Sequence, residues 1–305
     1  MVLLIFEMIY ECSEILVVGQ YAHDQLIQDS SNTIHALGGP PAYMASVLHP
    51  LDADYSLIAK VGGDFKYFQQ VYWPPIVSPD SDTTSFVNDG SLGERYQVLE
   101  ALCEPIYPEE IRISAKVGII AGMFNDILPE TVLRLRELCN YIVGDVQGLI
   151  RFRNKDNHVG NLHLEDTVYA DCLDCFDYLQ VSSDDVGYVQ VDVLRKQTTI
   201  IVTYGKEGCL IHDESGAFRV PAYKVSVRET TGAGDCFLAG FAYGLSKNLS
   251  SRRAAELGNF CGALAVQQIG VPILKRADFQ LILDRVLDDT IIELPSDVMD
   301  AACDH

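Results

Sequence analysis

An aspartate directly after Gly232-Ala233-Gly234, at the head of an apolar helical pattern, has the makings of a proton acceptor beside an anion cradle. The stretch reads RETTGAGDCFLAGF over 228–241, and Phe237, Leu238, Phe241 and Leu245 recur at helical spacing, so a helix begins close to Asp235. The small residues then occupy a helix N-terminus. Backbone N–H groups without intrahelical acceptors and the helix dipole favour an anion there, and missing side chains let a phosphate approach. A carboxylate is a poor phosphate ligand, because like charges repel. It suits a base that takes a proton from a hydroxyl attacking that phosphate. The same residues also fit a plain turn in which Thr230 or Thr231 caps the helix and the glycines permit the bend. No G-x-x-x-x-G-K-[ST] occurs, so a P-loop is excluded as the phosphate cradle.

Such a loop needs a frame. Short apolar runs rich in β-branched residues recur at 14–20, 56–62, 116–122, 141–147, 176–182 and 198–205, continuous rather than alternating, as in strands buried on both faces of a parallel sheet. A further strand-like run over 218–227 leads into the glycine motif. Between the runs lie helical patterns such as 128–139, with Leu128, Val132, Leu135 and Leu138 on one face and Pro129 and Glu130 suited to a first turn. Alternating strand and helix predict one layered α/β domain over 1–305. Two polar, turn-rich segments, 23–37 and 82–99, break the pattern and read as exposed strands that together make a small lid. The exposed edge of such a lid would permit a homodimer. The acidic tail 293–305 is expected to be loosely held.

Composition narrows the partners. Forty-three acidic against 22 basic residues give a net charge of −21, the opposite of a nucleic-acid-binding footprint and unfavourable for anionic membranes. The apolar opening, interrupted by Glu7, Glu11 and Glu14 and lacking a basic start, predicts neither a signal peptide nor a membrane span. Nine cysteines, an odd number, predict free thiols and a cytoplasmic location. Cys172 and Cys175 form a C-x-x-C with no second ligand pair, running into a strand, and read as incidental.

The motif and its neighbours resemble the PfkB (ribokinase-like) carbohydrate kinases, whose second signature reads Asp-Thr-x-Gly-Ala-Gly-Asp. Gly38-Gly39 followed by PPAYMASVL is similar to the early diglycine and helix of that family, and GQYAHD (19–24) to the end of its first strand. VTYGKEGCLI (202–211) is similar to its late Thr-x-Gly-x-x-Gly strand, and GNFCGALAVQQIG (258–270) to the helix beside its adenine pocket. GDVQGLIR (144–151), with LVVGQYAHD, GGPPAYM and VSSDD, looks like the myo-inositol kinases within the family.

The resemblance implies a three-layer α/β/α sandwich with a small β-sheet lid, and ATP-dependent transfer of the γ-phosphoryl group with Mg²⁺ to a hydroxyl of a small polyol. For myo-inositol the 3-hydroxyl is the one implied. It assigns catalysis to Asp235 with the Gly232, Ala233 and Gly234 backbone, and acceptor binding to Asp24, Gly38, Gly39, Tyr43, Gln147 and Arg151. ATP contacts fall to Ser182, Thr203, Gly205, Gly208, Thr231 and Asn259, and metal contacts to Asp185 and Glu229. Three departures stand out. Glu229 replaces the first signature aspartate, the family's Asn-x-x-Glu is Ser182-Ser183-Asp184-Asp185, and the asparagine after the diglycine is replaced near Tyr43. The last disfavours an ordinary ribokinase or fructokinase. A kinase of another polyol, sugar or nucleoside, or a degenerate binding scaffold, stays open, since the fold alone excludes neither.

Overall fold

The computed structural model describes residues 11–29, 32–89 and 96–287. The opening residues 1–10, the tail 293–305, and parts of both polar segments (30–31 and 90–95) lie outside the described residues. The strands are β1 (Glu11–Gln20), β2 (Ala22–Asp29), β3 (Asn32–Gly38), β4 (Tyr55–Gly62), β5 (Ile76–Ser78), β6 (Ser85–Asp89), β7 (Tyr96–Ala101) and β8 (Ile113–Ala121). They continue with β9 (Cys139–Asp145), β10 (Arg151–Arg153), β11 (Val159–Asn161), β12 (Tyr178–Ser182), β13 (Thr199–Thr203), β14 (Cys209–Asp213) and β15 (Gly216–Val220). The α-helices are α1 (Pro40–Leu48), α2 (Pro129–Leu138), α3 (Gln147–Ile150), α4 (Val191–Leu194), α5 (Ala233–Ser246), α6 (Ser251–Ala265) and α7 (Arg276–Leu287).

The continuous apolar runs become the centre of a nine-stranded sheet in the order β15-β14-β13-β12-β9-β8-β1-β4-β5. Pairing is parallel from β13 to β5, and β14 and β15 add an antiparallel hairpin at one edge. In β1, Ile15 and Val17 face a core shared with α1, α5, α6 and α7, while Leu16 and Val18 face one shared with α2. These two cores flanking one sheet are the predicted three layers. The run 218–227 corrects one expectation. The strand ends at Val220, and 221–227 forms no ladder, because Pro221 brings no N–H to donate.

The polar segments form a separate four-stranded sheet, β3-β2-β6-β7. It joins the body beside the carboxyl end of β1, where the connection order switches sides between β4 and β8, the usual crevice for ligands in open α/β sheets. A buried polar knot fixes the junction. Gln20 Nε2 donates to the Glu104 carbonyl (2.8 Å), and Thr84 Oγ1 donates to Gln20 Oε1 (2.6 Å). Lys60, 1% exposed, donates Nζ to the Pro105 carbonyl (2.8 Å) and pairs with Glu110 Oε2 at 2.8 Å.

Among the described residues no helix is long and apolar enough to cross a membrane, and the eight described cysteines are all free. Cys172 and Cys175 sit buried in a short helical turn, Ala170–Cys175, where burial raises both thiols.

Lys60 carries a stability prediction. Lys60→Met strips the Pro105 carbonyl and the Glu110 carboxylate of their buried partner and should cost about 2–3 kcal/mol, the low end because water reaches Glu110. Urea unfolding reads this directly. An unchanged midpoint would mean that the knot contributes nothing to the junction.

Candidate active site

The glycine motif is held from both sides. Upstream, the Arg228 and Glu229 N–H groups donate to the Val266 carbonyl just beyond α6 (2.7 and 3.3 Å). Glu229 then turns its carboxylate onto its own loop, where Oε1 accepts from the Thr230 N–H (2.8 Å), the Thr231 N–H (3.1 Å) and Thr231 Oγ1 (3.0 Å). Neither threonine caps α5. The cap is Gly232, with φ 76° and no side-chain bond. A Cβ there would lie 2.0 Å from the Tyr43 ring, so glycine is required by conformation and by space. Gly232, Gly234 and Asp235 then face a cleft of about 350 Å³, with the first-turn amides of α5 at its edge.

Across that cleft stands Asp24 on β2, buried at 7% exposure. Its room comes from Gly38, where a Cβ would fall 2.1 Å from Asp24 Oδ2. Gly39 caps α1, and Tyr43 in α1 stands near both carboxylates. Burial first, then the charges of Asp24 and Asp235, push the Tyr43 phenol well above its usual range, so it stays a neutral donor. The small sheet contributes Phe86, Asn88 and Gln97 to the lining, and Gln97 Nε2 donates to Asn88 Oδ1 (2.8 Å). Arg151, 9% exposed, completes the wall with Gln147, donating Nη1 to the Met123 carbonyl (3.2 Å).

Beneath the loop, Asp145 ends β9. Oδ1 accepts the Gln147 N–H (2.8 Å) and Oδ2 accepts Gln180 Nε2 (3.2 Å). Burial, with Asp185 adding repulsion, raises its carboxyl to about 6 against the hydrogen bonds that lower it. A Cβ on Gly234 would stand 3.8 Å from Asp145 Oδ2, which measures how near this acid lies to the loop. Asp185 itself is buried and accepts from Asn161 Nδ2 (2.8 Å).

A second cleft of about 320 Å³ adjoins the first and shares Thr203, Gly205, Thr230 and Gly234 with it. Its walls are mostly apolar, among them Ala222, Val225, Val227, Phe237 and Val266, with Lys206 and Lys224 bordering it. Gly208 and Asn259 line it as well. Asn259 spends its amide on the Val220 and Pro221 carbonyls (3.1 and 3.0 Å), which holds the end of β15 open as a wall.

Comparison with known proteins puts a family to this geometry. Residues 187–275 match the model of the pfkB family carbohydrate kinases. Over 89% of its length the chain is 34% identical to inositol 3-kinase of Arabidopsis thaliana, spanning 79% of that protein. The inositol 3-kinase of Zea mays is 36% identical over 84% of this chain and 73% of its own length. The chain belongs to the pfkB carbohydrate kinase family. It is accordingly a phosphotransferase with an alcohol group as acceptor. The fold of this pfkB member is shared with a pyrophosphate-dependent kinase of the ribokinase family, solved with a pyrophosphate analog and myo-inositol. The match has a TM-score of 0.74 at 18% identity, covering 88% of this chain and 99% of that one.

Most residues predicted from the sequence converge on the two clefts of this pfkB kinase. Asp24, Gly39, Tyr43, Gln147, Arg151, Ser182, Thr231, Gly232 and Asp235 line the first, Gly208, Ala233 and Asn259 the second, and Thr203, Gly205 and Gly234 both. Gly38, Asp185 and Glu229 stand behind the lining. Sequence reasoning missed Asp145, Gln180, Phe86, Asn88 and Gln97. Asp145 had a signal, an acid ending an apolar run, and Gln180 another, an amide inside one.

Gly232 and Gly205 separate strain from crowding. Gly205 has φ 52° with nothing near an added Cβ, so Gly205→Ala should cost about 1 kcal/mol. Gly232→Ala adds the Tyr43 collision and should cost about 3 kcal/mol by denaturant unfolding. Equal costs would show that the Tyr43 ring yields freely.

Proposed function

We propose that the protein transfers the γ-phosphoryl group of ATP to a hydroxyl of myo-inositol, the 3-hydroxyl by analogy with its plant relatives. The observation that carries this reading is Asp235 in the first turn of α5, where an amide- and carboxylate-lined cleft meets an apolar one. A neutral ring bearing only hydroxyls suits the first cleft, whose Asp24, Asn88, Gln97 and Gln147 offer donors and acceptors in a chain of net charge −21. The second supports a nucleotide over pyrophosphate as donor. A purine can bury its faces on Ala222, Val225 and Val266, whereas bare pyrophosphate gains nothing from such walls.

In this reading Asp235 takes the proton of the attacking hydroxyl as the oxygen bonds to the γ-phosphorus and the bridging oxygen leaves with ADP. The first-turn amides of α5 face the charge on the transferring group. Lys206 and Lys224 offset part of the acidity around the phosphates. Tyr43, held neutral, and Asp24 orient the acceptor, and Arg151 neutralises charge at the wall. The small sheet serves as a lid that excludes water, a competing acceptor. Asp145 and Asp185, two carboxylates that repel one another beside the loop, suit a cation and would hold hydrated Mg²⁺ with the donor's phosphates. Among the described residues no cluster of three His, Cys, Asp or Glu forms a cage, and Mg²⁺ needs none; when bound it supplies charge neutralisation on the phosphates. Glu229, turned onto Thr230 and Thr231, shapes the loop. The free cysteines fit a cytoplasmic setting.

Two measurements test the proposal. ADP release with Mg·ATP should be found with myo-inositol and not with ribose, fructose or adenosine, and pyrophosphate should not replace ATP. Activity confined to adenosine or a furanose would overturn the acceptor, and silence on all four would favour a scaffold. Asp235→Asn should bind both ligands yet lose about a thousandfold in kcat; a loss within tenfold would remove Asp235 as base.

A further inference from the structure

The hairpin β10–β11 belongs to neither sheet, yet it touches both the small sheet and Asp185. Its turn is locked by Asn154, whose side-chain oxygen accepts from the Asp156 and His158 N–H groups (both 2.9 Å). Its base is closed by the Leu162 N–H on the Ile150 carbonyl (2.8 Å). Such a short hairpin is tied together at both ends.

Three contacts leave it. At the tip, the Leu99 N–H of β7 donates to the Asn157 carbonyl (3.0 Å), a bridge joins Val98 to His158, and Val159 packs on the cluster holding Phe86 and Leu99 of the small sheet. At the base, Arg151 and Asn161 are directly paired across the ladder, so their side chains share a face. Arg151 lines the first cleft, and Asn161 donates to Asp185 Oδ1 at 2.8 Å just behind the lining, next to Asp184 of the same cleft.

We infer that Asn161 is a positioning residue for Asp185, and that the hairpin 151–161 couples the small sheet over the acceptor to the carboxylates that would hold Mg²⁺ with the donor's phosphates. The inference rests on the reading above, in which acceptor and donor occupy the two clefts. When the small sheet closes on the acceptor, β7 carries the tip of the hairpin with it. The base then turns Asn161, and Asp185 is set for the donor. Binding of one ligand therefore raises affinity for the other, by the same factor in both directions. The ordering has chemical sense, since a donor bound tightly before the acceptor arrives would be open to hydrolysis.

The test uses the full chain, with a non-hydrolysable Mg·ATP analogue as donor probe and myo-inositol as acceptor probe. Calorimetry gives the dissociation constant of each probe with and without saturating amounts of the other. Wild type should show coupling of about tenfold. Asn161→Ala at the base and Val159→Ala at the tip should each bring coupling to within twofold of unity, and Val159→Ala should change either binary affinity less than threefold. Coupling retained in both variants, or absent from wild type, would overturn the inference.

A second readout needs no ligand. Amide hydrogen exchange at Leu99, whose N–H is held by Asn157, should quicken at least tenfold in Asn161→Ala if the hairpin is a single lever. Unchanged exchange would sink the lever whatever the ligands are. If wild type binds neither probe while Leu99 responds, the proposed function fails and the mechanical link stands.

Discussion

The left-handed backbone of Gly232 beneath the Tyr43 ring fixes where α5 starts, and the rest of the site is measured from that point. Tyr43 cannot drift, because its carbonyl accepts from Ser46 Oγ (2.6 Å) and Cys236 Sγ (3.7 Å), tying α1 to α5. α1 is capped by Gly39, one residue after the glycine that makes room for Asp24. The two carboxylates that flank the first cleft are thus set by one chain of contacts through α1. Asp235 takes its place from the body alone, whereas Asp24 is carried by β2, a strand of the small sheet.

The frame was legible because burial on both faces of a parallel sheet writes itself as continuous apolar runs, seen in Ile15–Val18 and Ile200–Val202. The site was legible where chemistry and backbone geometry demand the same residue, as at Gly232, Gly38 and Asp235. It was not legible where a side chain acts through a partner distant in sequence. Gln180 reaches Asp145 across 35 positions, and Asn161 reaches Asp185 across 24. Asn88 and Gln97 are ordinary polar residues of an alternating strand until pairing puts them side by side. In sequence, Glu229 departs from a metal-binding pattern. The fold shows a carboxylate long enough to bend back onto the amides of Thr230 and Thr231, a local bond that no spacing rule reveals.

The acidity of the chain acquires a local meaning. Asp24, Asp145, Asp184 and Asp235 line the first cleft, and the cations set against them are few and placed: Arg151 on the wall of that cleft, Lys206 and Lys224 at the other. On the proposed function, binding selectivity follows from this balance. A neutral polyol pays little to enter the first cleft, whereas an acceptor already carrying phosphate meets four carboxylates with one guanidinium to answer them.

α5 carries one more consequence. From Cys236 to Ser246 every residue of this helix is buried, so its dipole runs through protein rather than along the surface. Mobile ions screen a surface helix within a Debye length of about 8 Å at physiological salt, but they cannot reach the flanks of this one. The attraction that its first turn offers an anion is therefore screened by salt only through the open cleft, and not from the flanks of the helix.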